Sequence, residues 1–144
     1  MYQNFPIEIL KANRLLRSPN EVALFEQTLE QLVQNPNSAD LPSLHLILDD
    51  TCDRPEVMFS LVHFLESFDV QEQLQAFIQV MPDLVKQAPE WTAILHSRIT
   101  NEPIAQTAFE EILRSMDTEK RSEIDRLLSL ALRTASAKQI TQVA

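Results

Sequence analysis

An all-α fold is what this chain predicts, on three observations. It has no glycine and eight prolines. Its apolar residues recur at three- and four-residue spacing, the period of an amphipathic helix. Quartets that begin with Ser or Asp and end with Glu stand at the heads of the apolar runs, as capping boxes do. Glycine is the usual residue of tight hairpin turns and of phosphate-cradling loops. Its absence argues against a β-rich fold, a dinucleotide-binding fingerprint and a P-loop. The prolines at 19, 42, 55, 82, 89 and 103 fall where helices start or loops run.

The elements follow in order. Residues 7–16 read as a short first helix. Ser18-Pro19-Asn20-Glu21 is a capping box that opens an amphipathic helix to about 34, with Val22, Phe25, Leu29, Leu32 and Val33 inward. Asn35-Pro36-Asn37-Ser38 is a turn. Asp40 caps the next helix. There Leu41, Leu44 and Leu48 share a stripe, and Leu46 and Ile47 cover much of the rest, so this helix is expected to be the most buried. Residues 49–53 form a polar break. Asp53 with Glu56 then reads as a cap, and Pro55 falls in the first turn. Val57, Met58, Leu61, Val62, Leu65 and Phe68 make the following stripe.

Asp69-Val70-Gln71-Glu72 is a further capping box, for a helix that buries Val70, Leu74, Phe77, Ile78 and Met81. Residues 82–87 are expected to hold a separate helical turn. Pro89 opens a helix with Trp91, Ile94, Leu95 and Ile99 inward. Pro103 opens one with Ile104, Ala105, Ala108, Ile112 and Met116 inward. Asp117 or Thr118 caps a last long helix with Ile124, Leu127, Leu128, Ala131 and Leu132 inward. About eight short helices with short connections must pack roughly antiparallel. They are expected to stack as hairpins like a HEAT-type α-solenoid. No repeat recurs at fixed period, so an irregular helical bundle is the alternative. Residues 1–134 are read as one domain, and 135–144 as a tail that frays.

The chain has 21 acidic and 12 basic residues, a formal charge of −9. That disfavours nucleic acid and anionic membranes as partners and suits a basic protein. The acids are concentrated. From Asp40 to Glu72 there are eight against one base, Arg54, whereas from Ile112 onward six bases face four acids. A single cysteine, Cys52, excludes an internal disulfide and fits a reducing cytosol. The first 16 residues lack a signal-like apolar run, and no stretch reaches the about 18 apolar residues of a membrane span. A cytoplasmic protein is expected.

Catalytic and metal-site readings find little support. His45, His63 and His96 are scattered about one per helix, with no Glu-x-x-His. Asp49-Asp50-x-x-Asp53 lacks the glycine and the terminal glutamate of an EF-hand loop. Acidic neighbours disfavour the Cys52 thiolate. No cofactor, metal or catalytic residue is expected. Asp49 and Asp50 stand at a helix end, where the helix dipole disfavours them, and that misplacement hints at a purpose. Arg98 falls within the stripe of Trp91, Ile94 and Leu95. It either forms an internal ion pair with Asp49, Asp50 or Glu66, or lays its stem on apolar surface with its head in water. Phe59 and His63 lie opposite the main stripe of their helix, beside Glu56 and Glu66. They either anchor a partner or are covered by a second helical layer.

The stretch LHLILDDTCDRPEVMFSLVHFLESFD, with QAPEWTAILHSRITNEP after it, resembles the immunity protein 30 family of bacterial polymorphic-toxin systems. The likeness rests on Asp49-Asp50, the Glu56-Val57-Met58 helix start, His63 with Glu66, and the helix from Pro89-Glu90-Trp91 to Arg98. It spans roughly 7–132. It implies an all-helical, cytoplasmic, non-enzymatic protein that binds and neutralises a cognate toxin. A helical scaffold with an endogenous partner is the alternative. The binding surface expected is Asp49, Asp50, Asp53, Glu56, Glu66, Asp69 and Glu72, with Phe59 and His63 as anchors. Reversing Asp49, Asp50 and Asp53 to lysine is expected to weaken binding while the fold persists.

Overall fold

Proline and its neighbours set where most of the helices begin. The computed structural model describes the backbone of residues 5–143 and the side chains of residues 5–136. It has eight α-helices among the described residues: α1 (Phe5–Ala12), α2 (Pro19–Gln34), α3 (Leu41–His45), α4 (Pro55–Glu66), α5 (Val70–Gln87), α6 (Pro89–Thr100), α7 (Pro103–Arg114) and α8 (Thr118–Val143). A 3₁₀ turn, Ser38–Asp40, precedes α3. Four helices start on proline, whose missing N–H has no intrahelical partner to lose there. Side-chain caps hold several starts. Ser18 Oγ accepts the Glu21 N–H at 3.2 Å, Asp69 Oδ2 that of Glu72 at 3.1 Å, and Asp117 Oδ1 that of Lys120 at 2.8 Å.

The packing is an irregular bundle built around α5, which touches α3, α4, α6, α7 and α8. It buries Leu74, Phe77, Ile78, Met81, Leu84 and Val85. Each such side chain contributes about 1.5–3 kcal/mol of burial. The last helix packs on both α5 and α6, inward through Ile124, Leu127, Leu128 and Ala131. α5 is thus the central helix, a place the sequence pattern assigns to the segment after Asp40.

Several local expectations are corrected. α3 ends at His45 rather than reaching Leu48, because the chain tightens into turns with Ile47 N–H on the Leu44 carbonyl and Leu48 N–H on that of His45. The freed carbonyls of Leu46 and Leu48 are both satisfied by the Gln87 side-chain amide, at 2.6 and 3.0 Å. Asp40 makes no capping hydrogen bond; Asn37 caps the preceding 3₁₀ turn instead. Asp53 does not cap α4. Arg54, extended ahead of Pro55, takes the N-cap position without a side-chain bond. The Asp53 backbone N–H instead donates to the Leu15 carbonyl at 2.9 Å.

α5 runs unbroken through Pro82, so there is no separate turn at 82–87. A mid-helix proline costs about 3 kcal/mol. The buried residues on both sides of it, Ile78, Met81, Leu84 and Val85, hold the helix together. Val33, Ile104 and Leu132, expected inward, are exposed. The α8 backbone is helical beyond Ala135 to Val143. Most of the tail expected to fray has its side chains, Lys138 among them, outside the described residues. Leu16, buried at the end of the α1 turn, has φ 52°, a left-handed conformation that another chain would give to glycine.

Candidate functional site

The acidic corner between α3 and α4 joins two parts of the fold. α6 follows Ala88, a residue with no side-chain oxygen to cap it. The Asp50 carboxylate supplies the cap from 40 residues away. Its Oδ2 accepts the Glu90 N–H at 2.8 Å and its Oδ1 accepts the Trp91 N–H at 3.1 Å. A carboxylate at a helix N-terminus is favoured by both the free N–H groups and the dipole. The charge that looks misplaced at the end of α3 is therefore well placed at the start of α6.

Trp91 clamps the same corner. Its indole N–H donates to the Asp49 carbonyl at 3.1 Å, and its ring meets Phe59 edge-on with centroids 5.0 Å apart. Asp49 Oδ1 accepts from the Thr51 N–H and hydroxyl at 2.8 and 2.6 Å, and its Oδ2 lies 3.3 Å from Arg14 Nε. The Asp49 side chain is only 14% exposed. Asp49 and Asp50 are thus half-buried and engaged within the fold, where they brace the start of α6. Burial pushes the nearby Cys52 thiol up, and the charges of Asp49 and Asp50 add to the shift.

At the far end of α4, Arg98 reaches Glu66. Arg98 Nε donates to Glu66 Oε2 at 2.6 Å and Nη2 to Oε1 at 2.7 Å, a bidentate pair between α6 and α4. Glu66 is the one of the three candidate carboxylates that Arg98 engages there. The two side chains remain 38% and 33% exposed. The guanidinium carbon lies 6.0 Å from the Phe59 ring centroid. Phe59 is half-buried between Trp91 and Arg98, so α6 covers much of the arc on which an anchor is expected. His63, 6.4 Å from Phe59 by ring centroids, is exposed.

Asp53, Glu56, Asp69 and Glu72 are exposed as well. Arg54 meets Glu56 at 3.5 Å, but both side chains are more than half exposed, so the contact is weak. Asp69 doubles as the α5 cap. The residues missing from the sequence reading are Gln87, Arg14 and the Trp91 indole. One signal was present: an alanine before Pro89 leaves the start of α6 without its own cap. Gln87 and Arg14 carry no such mark.

Among the described residues no group of three or more His, Cys, Asp or Glu is placed to hold a metal ion. No described helix is long and apolar enough to cross a membrane. His45 is buried, its Nδ1–H donating to the Leu41 carbonyl at 2.8 Å, and burial lowers its pKa to about 4. The fold and site define an all-helical protein whose acidic corner braces the start of α6. A family model described as immunity protein 30 matches residues 12–109, and the chain belongs to that family. Membership makes it a binding protein rather than an enzyme, with a toxin as the implied partner. No curated protein and no solved structure matches the chain.

Proposed function

We propose that this chain neutralises a basic toxin domain in the cytoplasm by docking exposed carboxylates against it. The carboxylates lie at both ends of α4: Asp53 and Glu56 at its start, Glu66, Asp69 and Glu72 at its finish. His63 lies on the helix between them. Along α4, Glu56 and Glu66 are ten residues and thus roughly 15 Å apart, a span suited to a protein surface rather than a small ligand. The observation that carries the reading is the exposure of Asp53, Glu56, His63, Asp69 and Glu72, with one weak internal ion pair among them. A negative field of this kind speeds encounter with a basic partner and orients it. Asp49, Asp50 and Phe59 are left out of the contact surface, because they hold the fold.

The test is the triple variant Asp53→Lys, Glu56→Lys and Glu72→Lys. None of the three side chains caps a helix, and a lysine in the exposed first turn of α4 or α5 costs only about 1 kcal/mol or less, so helical circular dichroism stays as in the parent. Affinity for a cognate toxin domain, by calorimetry, falls at least about tenfold. Protection of cells that co-express that toxin falls with it. Parent-like affinity in the triple variant would remove the surface from the proposal.

A further inference from the structure

A cleft of about 440 Å³ opens beside the Glu66–Arg98 pair. Phe68, Val70, Ile99 and Ala105 give it apolar lining, and Gln73 and Glu102 are among its polar residues. Ile104, next to Ala105 on the first turn of α7, is 70% exposed. Asp69 and Glu72 flank Val70 on the first turn of α5 and are exposed. The charged residues that line the cleft are two carboxylates, Glu66 and Glu102, and one cation, Arg98; Glu102 also caps α7, accepting the Ile104 and Ala105 N–H groups. A volume of this size takes a side chain together with a neighbouring residue of the same loop.

We infer that this cleft receives a lysine or arginine presented on a protruding loop of the toxin, its aliphatic stem against the apolar lining and its cationic head at Glu66. The inference deepens the proposed function and rests on it. Long basic side chains match such a place because their stems are apolar and their heads charged. Glu66 retains capacity for a second donor. A carboxylate has about four lone-pair sites, Arg98 uses two, and the Glu66 side chain is still 33% exposed. Two carboxylates against one guanidinium in the lining favour a cationic occupant over an acidic one.

Two substitutions on one helix separate this cleft from net charge. Gln73→Arg puts a cation in the cleft. Gln79→Arg, six residues along α5, makes the same change in a different hollow lined with Pro82 and Ile112. A third, Ala105→Trp, fills the cleft and leaves charge unchanged. Dissociation constants are measured by calorimetry against the purified cognate toxin domain. Gln73→Arg and Ala105→Trp are expected to weaken binding at least about tenfold, and Gln79→Arg to stay within about twofold. Equal losses in Gln73→Arg and Gln79→Arg overturn the inference, since they report charge alone. So does parent-like binding by Gln73→Arg or by folded Ala105→Trp, and in either case the acidic-surface reading still stands. Absence of binding by the parent chain overturns both. If Ala105→Trp fails to fold by circular dichroism, the Gln73 and Gln79 pair decides.

Discussion

Asp50 carries more of the fold than any other acidic side chain of the corner, because it replaces a cap that Ala88 cannot provide. Removing it leaves two backbone N–H groups at the start of α6 without acceptors. Asp50→Ala is expected to destabilise the protein by about 2 kcal/mol, read as a lower urea midpoint with an unchanged slope. Lysine at position 50 would add a positive charge at a helix N-terminus, which is worse. The lysine reversal of Asp49, Asp50 and Asp53 therefore tests folding before it tests binding, contrary to the expectation drawn from the sequence. A run of acids shows that charge is gathered. It does not show which carboxylate points at a distant helix, because that depends on tertiary geometry.

His45 gives a second test at this scale. Its folded pKa of about 4 lies below the ordinary 6.5, since burial disfavours the charged ring. The unfolded chain therefore binds the proton first as the pH falls. His45 lowers stability progressively from about pH 6.5 to about 4, and adds no further loss below that. His45→Gln is expected to flatten the pH dependence of the urea midpoint across that window relative to the parent. An identical slope in both proteins would exclude His45 as its source.

At the scale of elements, helix starts were the most legible feature. Pro19, Pro89 and Pro103 and the caps at Ser18 and Asp69 stand in the sequence as they act in the structure. Helix ends were less so. α3 stops early and α5 continues through Pro82, because long-range contacts from Gln87 and from buried neighbours override local preference. The apolar stripes predicted the core well along α5 and at Ile124, Leu127, Leu128 and Ala131 of α8, and failed at Val33, Ile104 and Leu132, which are exposed.

The Glu66–Arg98 pair shows what a tie between elements is worth. It is bidentate and short, yet each side chain is about a third exposed. Solvent screening limits such a pair. A double-mutant cycle with Glu66→Gln and Arg98→Met is expected to give a coupling energy of no more than about 1 kcal/mol, shrinking in high salt. A value of several kcal/mol would mean that the pair is far less solvated than its exposure indicates.

At the scale of the whole molecule, the charge of −9 is unevenly spent. Asp49 and Asp50 hold the fold, while Asp53, Glu56, Asp69 and Glu72 stay exposed around α4 and the start of α5. Composition and the DDTCDRPE stretch disclosed the gathering of charge, and with PEW they disclosed the family likeness. Which acids brace the fold and which face outward needed coordinates. In the proposed function, the outward ones draw a basic toxin into contact. Stopped-flow association rates with the toxin domain, measured across ionic strengths from roughly 0.01 to 1 M, test it most directly. The rate constant is predicted to fall steeply as salt rises, and to fall less steeply for the Asp53, Glu56 and Glu72 lysine variant. A rate that is flat with salt, or the same salt slope in both proteins, would contradict it.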